Sequence, residues 1–505
     1  MILNHPAPSA ADRARTVPNS HKAPSVGEMG RGVVRDSVGG FPDHPEKTLR
    51  TNNQKGRPVI VAPLTGLDAA FLSLEGDGAP MHMGALAVFS PSRPARPDRL
   101  RALLAERAGR IARLRQRVKT GWHPLGGTRW VEDPIFDARE HVHTQFLHGV
   151  DRHAEFTQVV ARLMARPLDG ARPLWEAHVI TGMSDDRFGV LVKLHHALTD
   201  GAGAVGLAAG LLDGFADGEQ VRPAHREPVF DGLISAVRQA ARLITSPHIL
   251  AKQAAATAHI TTSLVRHGRP AALARSMAAA PSHERTLAIG RLDRDVLLRI
   301  RKLHGGTTND AVLGVLAGAW RRWLVEHDLP TGPEAVCALI PVSVRGRRAG
   351  GGNNQLSGYL CELPVAEPDP AAQLRAVRSR MDANKRSGPG RGAGAFPLLA
   401  DQVPAALHQM FGPILRRSAG LLFDTVVTNV PLPNVPLHLD GAELREVYPI
   451  VPLAHGHQLA VGISNYRDTV HIGLHGGASG PGDLARLAAA LPTAAAALED
   501  AEPAA

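Results

Sequence analysis

Aromatic residues are scarce in this chain. Three tyrosines, five tryptophans and twelve phenylalanines make up 4% of 505 residues, and no basic segment is interleaved with them in the way that lets single-stranded nucleic-acid binders stack bases. Nucleic acid is therefore not an expected partner. Cysteine is scarcer still. Cys337 and Cys361 are the two in the sequence, too few for a disulfide framework and in no CxxC or Cys/His spacing that would hold zinc. A reducing, cytoplasmic setting is expected, and no metal. No window reaches the roughly 18 uninterrupted apolar residues of a membrane span, and the opening MILNHPAPSAADR has no apolar stretch of the kind a secretory leader carries. Any encounter with a membrane is expected at its surface. Acidic residues are outnumbered 47 to 57 by Lys and Arg, giving a formal net charge of +10. That balance suits an anionic partner, either a phosphorylated cofactor or an anionic lipid surface, and equally suits plain solubility.

The chain is too long for one ordinary core, so two domains with tails are expected. Residues 1–57 are polar, rich in Pro, Gly, Arg and Asn, with Phe41 as their only aromatic; they read as a disordered basic tail. Periodicity predicts a short helix over 66–74, a strand over 82–89, a basic helical segment over 98–120, a helix over 154–165 and a buried strand in RFGVLVKLHH, followed by a helix rich in small residues. Residues 226–284 are Ala-rich, basic and divided by Pro247 and Pro270, which predicts a helical connector. Alternation then resumes, with strands near 285–291, 335–344, 357–365, 423–429, 458–466 and 469–476. Helices are expected over 309–327, 370–385 and 402–417, and a closing one from about Pro481. The fold class is α/β, with an N-terminal domain over 58–225, a C-terminal domain over 285–495 and a tail over 496–505.

The sharpest chemical signal is His195-His196-Ala197-Leu198-Thr199-Asp200-Gly201, where the buried strand ends and a helix begins. Catalytic groups concentrate in such loops, and an imidazole there can act as a general base near neutral pH. Transfer of an acyl group from a thioester to an alcohol needs such a base, because a hydroxyl is a poor nucleophile at its own pKa. No covalent intermediate is required, and no GxSxG elbow is present. Two roles fit Asp200: orienting the histidine, or a structural ion pair with an arginine. Gly201 suits a tight turn. Asn309 and Asp310, after two threonines, suit a site wall or a helix cap, with Asn309 as the N-cap and Asp310 favoured by the helix dipole.

HHALTDG matches the HHxxxDG signature of CoA-dependent acyltransferases of the chloramphenicol-acetyltransferase type. The segments LTGLDAAFLSLEGDGAPMHMGAL, RPLDGARPLWEAHVITG, TTNDAVLGVLAGAWRRWL, ALIPVSVR with GNNQLSGYLCELP, and VVTNVPLPNVPLHLDGAELREVYPIVPLAHGHQLAVGISNY resemble, in order, the bacterial wax ester synthase/diacylglycerol acyltransferase family. That resemblance implies two chloramphenicol-acetyltransferase-like domains with mixed sheets and an active-site tunnel between them. It implies acyl-CoA as co-substrate, no further cofactor, and diacylglycerol or a long-chain fatty alcohol as acceptor. His196 would be the base and His195 its support. Asp200 would be structural, paired with Arg345; Asn309 and Asp310 would shape the site, and Asn309 or Asn429 would face the oxyanion. A peripheral place at the inner face of the plasma membrane or on lipid droplets follows from such substrates. Trp175 of PLW reads as a packing anchor. The basic segment 98–119 reads as a solvated face, some of whose arginines suit CoA phosphates or lipid headgroups. The family's NVPGP stands here as NVPLP, with Leu432 in place of glycine, which bears on acceptor preference. Two other readings stand beside this one: a condensation-type enzyme working on carrier-protein thioesters, and a non-catalytic lipid binder.

Overall fold

The computed structural model describes residues 60–76, 78–120, 128–214, 283–332, 336–343, 356–387, 423–453, 455–477 and 483–502. The expected tail over 1–57, nearly all of the connector, Arg345 and the helix expected over 402–417 lie outside them. The first half contributes β1 (Ile60–Pro63), α1 (Gly66–Leu74), β2 (His82–Ser90), α2 (Pro97–Arg110), β3 (Gln116–Thr120), β4 (Thr128–Glu132), β5 (Val142–Phe146), α3 (Arg152–Ala165), β6 (Trp175–Thr181), β7 (Phe188–His195) and α4 (Gly201–Ala209). The second half contributes β8 (Arg285–Asp293), α5 (Arg294–His304), α6 (Thr308–Glu326), β9 (Cys337–Ser343), β10 (Leu356–Glu362), α7 (Pro370–Ser387), β11 (Thr425–Pro431), β12 (His438–Leu439), β13 (Ala442–Ile450), β14 (Leu459–Tyr466), β15 (Thr469–Gly477) and α8 (Leu484–Asp500).

Two mixed six-stranded sheets result, ordered β12-β13-β2-β7-β6-β5 and β10-β9-β11-β14-β15-β8, with a small β1-β4-β3 sheet beside them. β7 is buried along its whole length, as expected of a central strand covered on both faces. α3 lies between the large sheets. Phe156 of α3 packs on Gly189 of β7, where a Cβ would meet the ring at 2.6 Å, and its apolar face shares one core with Leu287 of β8 and Ile450 of β13. α5 to α8 pack their apolar faces on the second sheet around Trp320, Trp323, Leu491 and Leu498.

β13 departs from the expected domain division. It belongs to the C-terminal stretch, yet it pairs antiparallel with β2, Ile450 opposite Gly84, and so helps complete the first sheet. At its end it crosses β14 and β15 so closely that a Cβ on Gly462 or Gly473 would strike the Pro449 carbonyl oxygen. Ser464 Oγ–H donates to the Val447 carbonyl at the same crossing.

The basic segment expected as one helix over 98–120 is helical to Arg110, turns through a 3-10 stretch at Ala112–Arg115 and ends as strand β3, because Arg117–Lys119 find ladder partners in β4. α8 continues through the exposed Pro492 to Asp500. Burial of Leu491, Ala494, Ala495 and Leu498 outweighs the hydrogen bond that proline removes, so the tail expected from 496 begins after Asp500.

Two predictions follow from this packing. Gly462→Ala should lower stability by about 3 kcal/mol through backbone overpacking, whereas Gly170→Ala, with open space around it, should leave the chemical-denaturation midpoint unchanged. The second concerns pH. Burial depresses His471 and His475 to about 4; the His475 Nδ1–H donates to the Val451 carbonyl, and its Nε2 has no hydrogen-bond partner among the described residues. Histidines held below their unfolded value of about 6.5 bind fewer protons folded than unfolded, so their contribution is complete above about pH 6.5 and is lost as pH falls toward 4. Thermal midpoints should be level from pH 8 to 7 and fall between 6.5 and 5; a flat profile there would refute the assignment.

Candidate active site

His195 is the last residue of β7, and His196 stands in the turn that leads to α4. Neighbouring segments hold this turn by hydrogen bonds. The His195 N–H donates to the Leu174 carbonyl (3.0 Å) and the His196 N–H to the Met81 carbonyl (2.9 Å). The Ala197 N–H donates to His195 Nδ1 (3.0 Å). That nitrogen must therefore accept, and the proton of the neutral ring sits on Nε2, 3.4 Å from Glu75 Oε2. His195 is buried and His196 half-buried. The His196 ring stacks on Phe71 of α1, centroids 3.9 Å apart and planes within 20°, so one face is covered and the ring cannot swing freely.

Asp200 is fully buried and is the N-cap of α4, its carboxylate accepting from the Gly203 N–H at 2.8 Å. Gly201 is the first helical residue. It lacks positive φ, contrary to the tight-turn expectation, and a Cβ there would make an ordinary contact with Val430. That neighbour brings the end of β11, with the exposed Asn429, against the start of α4. Leu432 packs against the first-half core, an anchoring that glycine would not supply. Asn309 is not the cap of α6. Thr307 is, in a capping box with Asp310, whose Oδ2 accepts from the Thr307 N–H at 2.8 Å. Asn309 is one residue inside the helix.

One residue that sequence reasoning passed over lies close to the histidines. Arg113, within the supposedly solvated basic segment, is mostly buried. Its guanidinium donates to the Leu198 carbonyl through Nε (3.0 Å) and Nη2 (2.9 Å) and to Gln116 Oε1 (2.8 Å), and it lies 3.8 Å from the centroid of Trp130. Burial pulls it down to about 10, against the Asp68 carboxylate nearby, so it stays charged at neutral pH. Trp175 of PLW is the anchor expected. It is buried, and its indole N–H donates to the Leu114 carbonyl at 2.7 Å, fixing the backbone next to Arg113.

Residues 64–312 match the model of the wax ester synthase/diacylglycerol acyltransferase catalytic domain, and residues 352–499 match that of the family's C-terminal domain. A Mycobacterium tuberculosis protein named "Probable diacyglycerol O-acyltransferase tgs2" is 31% identical over 466 residues, 86% of this chain and 98% of that protein. The chain belongs to the wax ester synthase/diacylglycerol acyltransferase family. A second M. tuberculosis relative, "Probable diacyglycerol O-acyltransferase tgs1", is 29% identical over 81% of this chain and 90% of its own. Among solved structures, the wax ester synthase/diacylglycerol acyltransferase from Marinobacter aquaeolei VT8 aligns with a TM-score of 0.60 at 24% identity, over 86% of this chain and 98% of that one. The starter condensation domain of rhizomide synthetase aligns at 0.52 and 16%, over 88% and 96%. At these identities the likeness is one of fold, and it establishes the two-domain α/β acyltransferase architecture expected from HHxxxDG.

Neither cysteine is poised as a covalent nucleophile. Burial first, with the Asp424 and Glu362 charges adding for Cys337, pushes both Cys337 and Cys361 thiols up to about 12, far from the thiolate a cysteine nucleophile needs. Among the described residues no group of His, Cys, Asp and Glu is arranged to hold a metal ion, and no helix is long and apolar enough to cross a membrane.

Arg113→Met should cost roughly 2–4 kcal/mol, because it strips the Leu198 carbonyl of two donors and removes a buried cation that faces Asp68. Arg113→Lys, which keeps the charge but not the fork, should fall between. Denaturant midpoints of the three proteins check both statements.

Proposed function

We propose that this protein moves a long-chain fatty acyl group from acyl-CoA to the hydroxyl of diacylglycerol or of a long-chain alcohol, with His196 as general base. The observation that carries the reading is the His196 imidazole, half-buried and stacked on Phe71, on a residue whose backbone N–H is held by the Met81 carbonyl, within the HHxxxDG turn of a family member whose relatives carry the name diacylglycerol O-acyltransferase. A base held in one orientation can take the proton of a bound hydroxyl as its oxygen attacks the thioester carbonyl. The tetrahedral intermediate then collapses, the C–S bond breaks, and the CoA sulfur leaves with the proton that His196 held. His195 supports its neighbour from behind. Asp200 serves by capping α4, and Asn429, next to Val430 at the end of β11, is a candidate oxyanion donor. Asn309 and Asp310 belong to the start of α6, where Asp310 is spent on the cap, so that Asn309 is the candidate of the two for a contact with substrate.

The readings of a carrier-protein condensation enzyme and of a non-catalytic lipid binder have less support. The resemblance of the 62–90 segment and PLW is to the lipid family, and the base is held as an active base needs to be. A net charge of +10 and water-insoluble acceptors support work at an anionic lipid surface, on the inner membrane face or on droplets.

With palmitoyl-CoA and either dioleoylglycerol or hexadecanol, the purified protein should release free CoA in an acceptor-dependent way. His196→Ala should lower that release about 10²–10⁴-fold. Release at the wild-type rate from the folded variant would show that the base lies elsewhere.

A further inference from the structure

HHxxxDG draws attention to Asp200 as the carboxylate partner of the histidines, but its carboxylate is engaged at the N-terminus of α4. A different carboxylate reaches the pair. Glu75 is the C-cap of α1, and its own N–H donates to the Phe71 carbonyl. One oxygen, Oε2, lies 3.4 Å from His195 Nε2, the nitrogen that carries the proton because Nδ1 is occupied by the Ala197 N–H. The other, Oε1, accepts from the Met81 N–H at 3.3 Å, and the Met81 carbonyl accepts from the His196 N–H. The same helix end supplies the Phe71 ring that covers His196. A single carboxylate thus touches one histidine directly and reaches the other across the backbone of one residue, Met81.

We infer that Glu75 is a positioning residue for the acyl transfer, fixing the ring of His195 and, through Met81, the stance of His196. The inference rests on the acyl-transfer reading above. The charged and titratable groups that act on this carboxylate are His195 and Lys193 on β7, and beyond them stand His82 on β2, His475 on β15 and Arg285 on β8. Lys193 donates to the Leu163 carbonyl at the end of α3, and Arg285 donates to the Gly78 carbonyl in the loop between Glu75 and Met81. His82 donates through Nε2 to the Met164 carbonyl and burial holds it well below its ordinary value, so it stays neutral. Burial pushes Glu75 upward, but His195, the Met81 N–H and the Lys193 charge outweigh it and the carboxyl lies below its usual range. Glu75 is therefore an anion throughout the range in which an imidazole changes charge.

An anion beside an imidazole favours the protonated ring, and a neutral amide in its place does not. Glu75→Gln keeps the shape and an oxygen for the Met81 N–H, and it removes the charge. It should retain the wild-type thermal midpoint and a KM for palmitoyl-CoA within about twofold, lose about tenfold in kcat, and move the acid limb of kcat against pH to lower values by about one pH unit. Glu75→Asp keeps the anion but draws it back, and should lose kcat while keeping the wild-type acid limb. An acid limb unmoved in Glu75→Gln, with kcat within twofold of wild type, overturns the inference. If Glu75→Gln does not fold, Glu75→Asp decides: a tenfold fall in kcat at unchanged KM supports the inference, and wild-type kcat overturns it. A wild-type protein without acceptor-dependent CoA release would instead overturn the acyl-transfer reading, and this inference with it.

Discussion

Between His195 and Gly201 the chain leaves the middle of a sheet and enters a helix while still largely buried. Backbone amides and carbonyls cannot stay unpaired there without a cost of about 1–3 kcal/mol each. The partners come from four separate places: Met81 at the start of β2, Leu174 before β6, the Arg113 side chain after α2, and Asp200 within the turn itself. Each supplier is in turn held by something else, Arg113 by Trp130 and Gln116, its neighbour Leu114 by the Trp175 indole. Much of the first half can be understood as the scaffold this one turn requires.

How much of this was visible beforehand depends on whether a residue's partner is local. α1 begins at Thr65, which makes a capping box with Asp68, and the expected bounds of 66–74 agree with it because cap and apolar spacing lie within a few residues. β7 is equally legible, a continuous apolar run bounded by a charged turn and a polar loop. AELREVYPI reads poorly as a strand because its ladder partner, β2, lies some three hundred and fifty residues earlier, and nothing in the local pattern names that destination. Arg113 fails to stand out for a similar reason: in a run crowded with arginines, composition cannot say which one turns inward. For the cap in TTNDAV the chemistry was anticipated and Asp310 stands where the helix dipole favours it, but the cap lies two residues earlier: Thr307, not Asn309, has the extended backbone that a cap needs.

The candidate site was legible in its centre and not in its surroundings. A histidine pair at a strand end announces itself by residue type. The aromatic lid of Phe71, the carboxylate of Glu75 and the carbonyl of Met81 lie inside a segment recognisable as a family motif, yet their work depends on how α1 meets β7, a matter of tertiary packing. Asp200 is the converse. Its prominence in the motif suggests direct chemistry, and its geometry is that of a helix cap.

The membership of β13 in the first sheet bears on how the molecule is made. During synthesis the N-terminal strands emerge long before residues 442–450 do, so one side of β2 has no neighbour to pair with for most of translation. An open strand edge of that length is an invitation to pair wrongly, with another nascent chain or with itself. The first sheet can close only when the polypeptide is nearly complete, and the two halves then mature together rather than in sequence. A fragment ending before Ala442 would carry the histidine pair and still lack a wall of its own sheet.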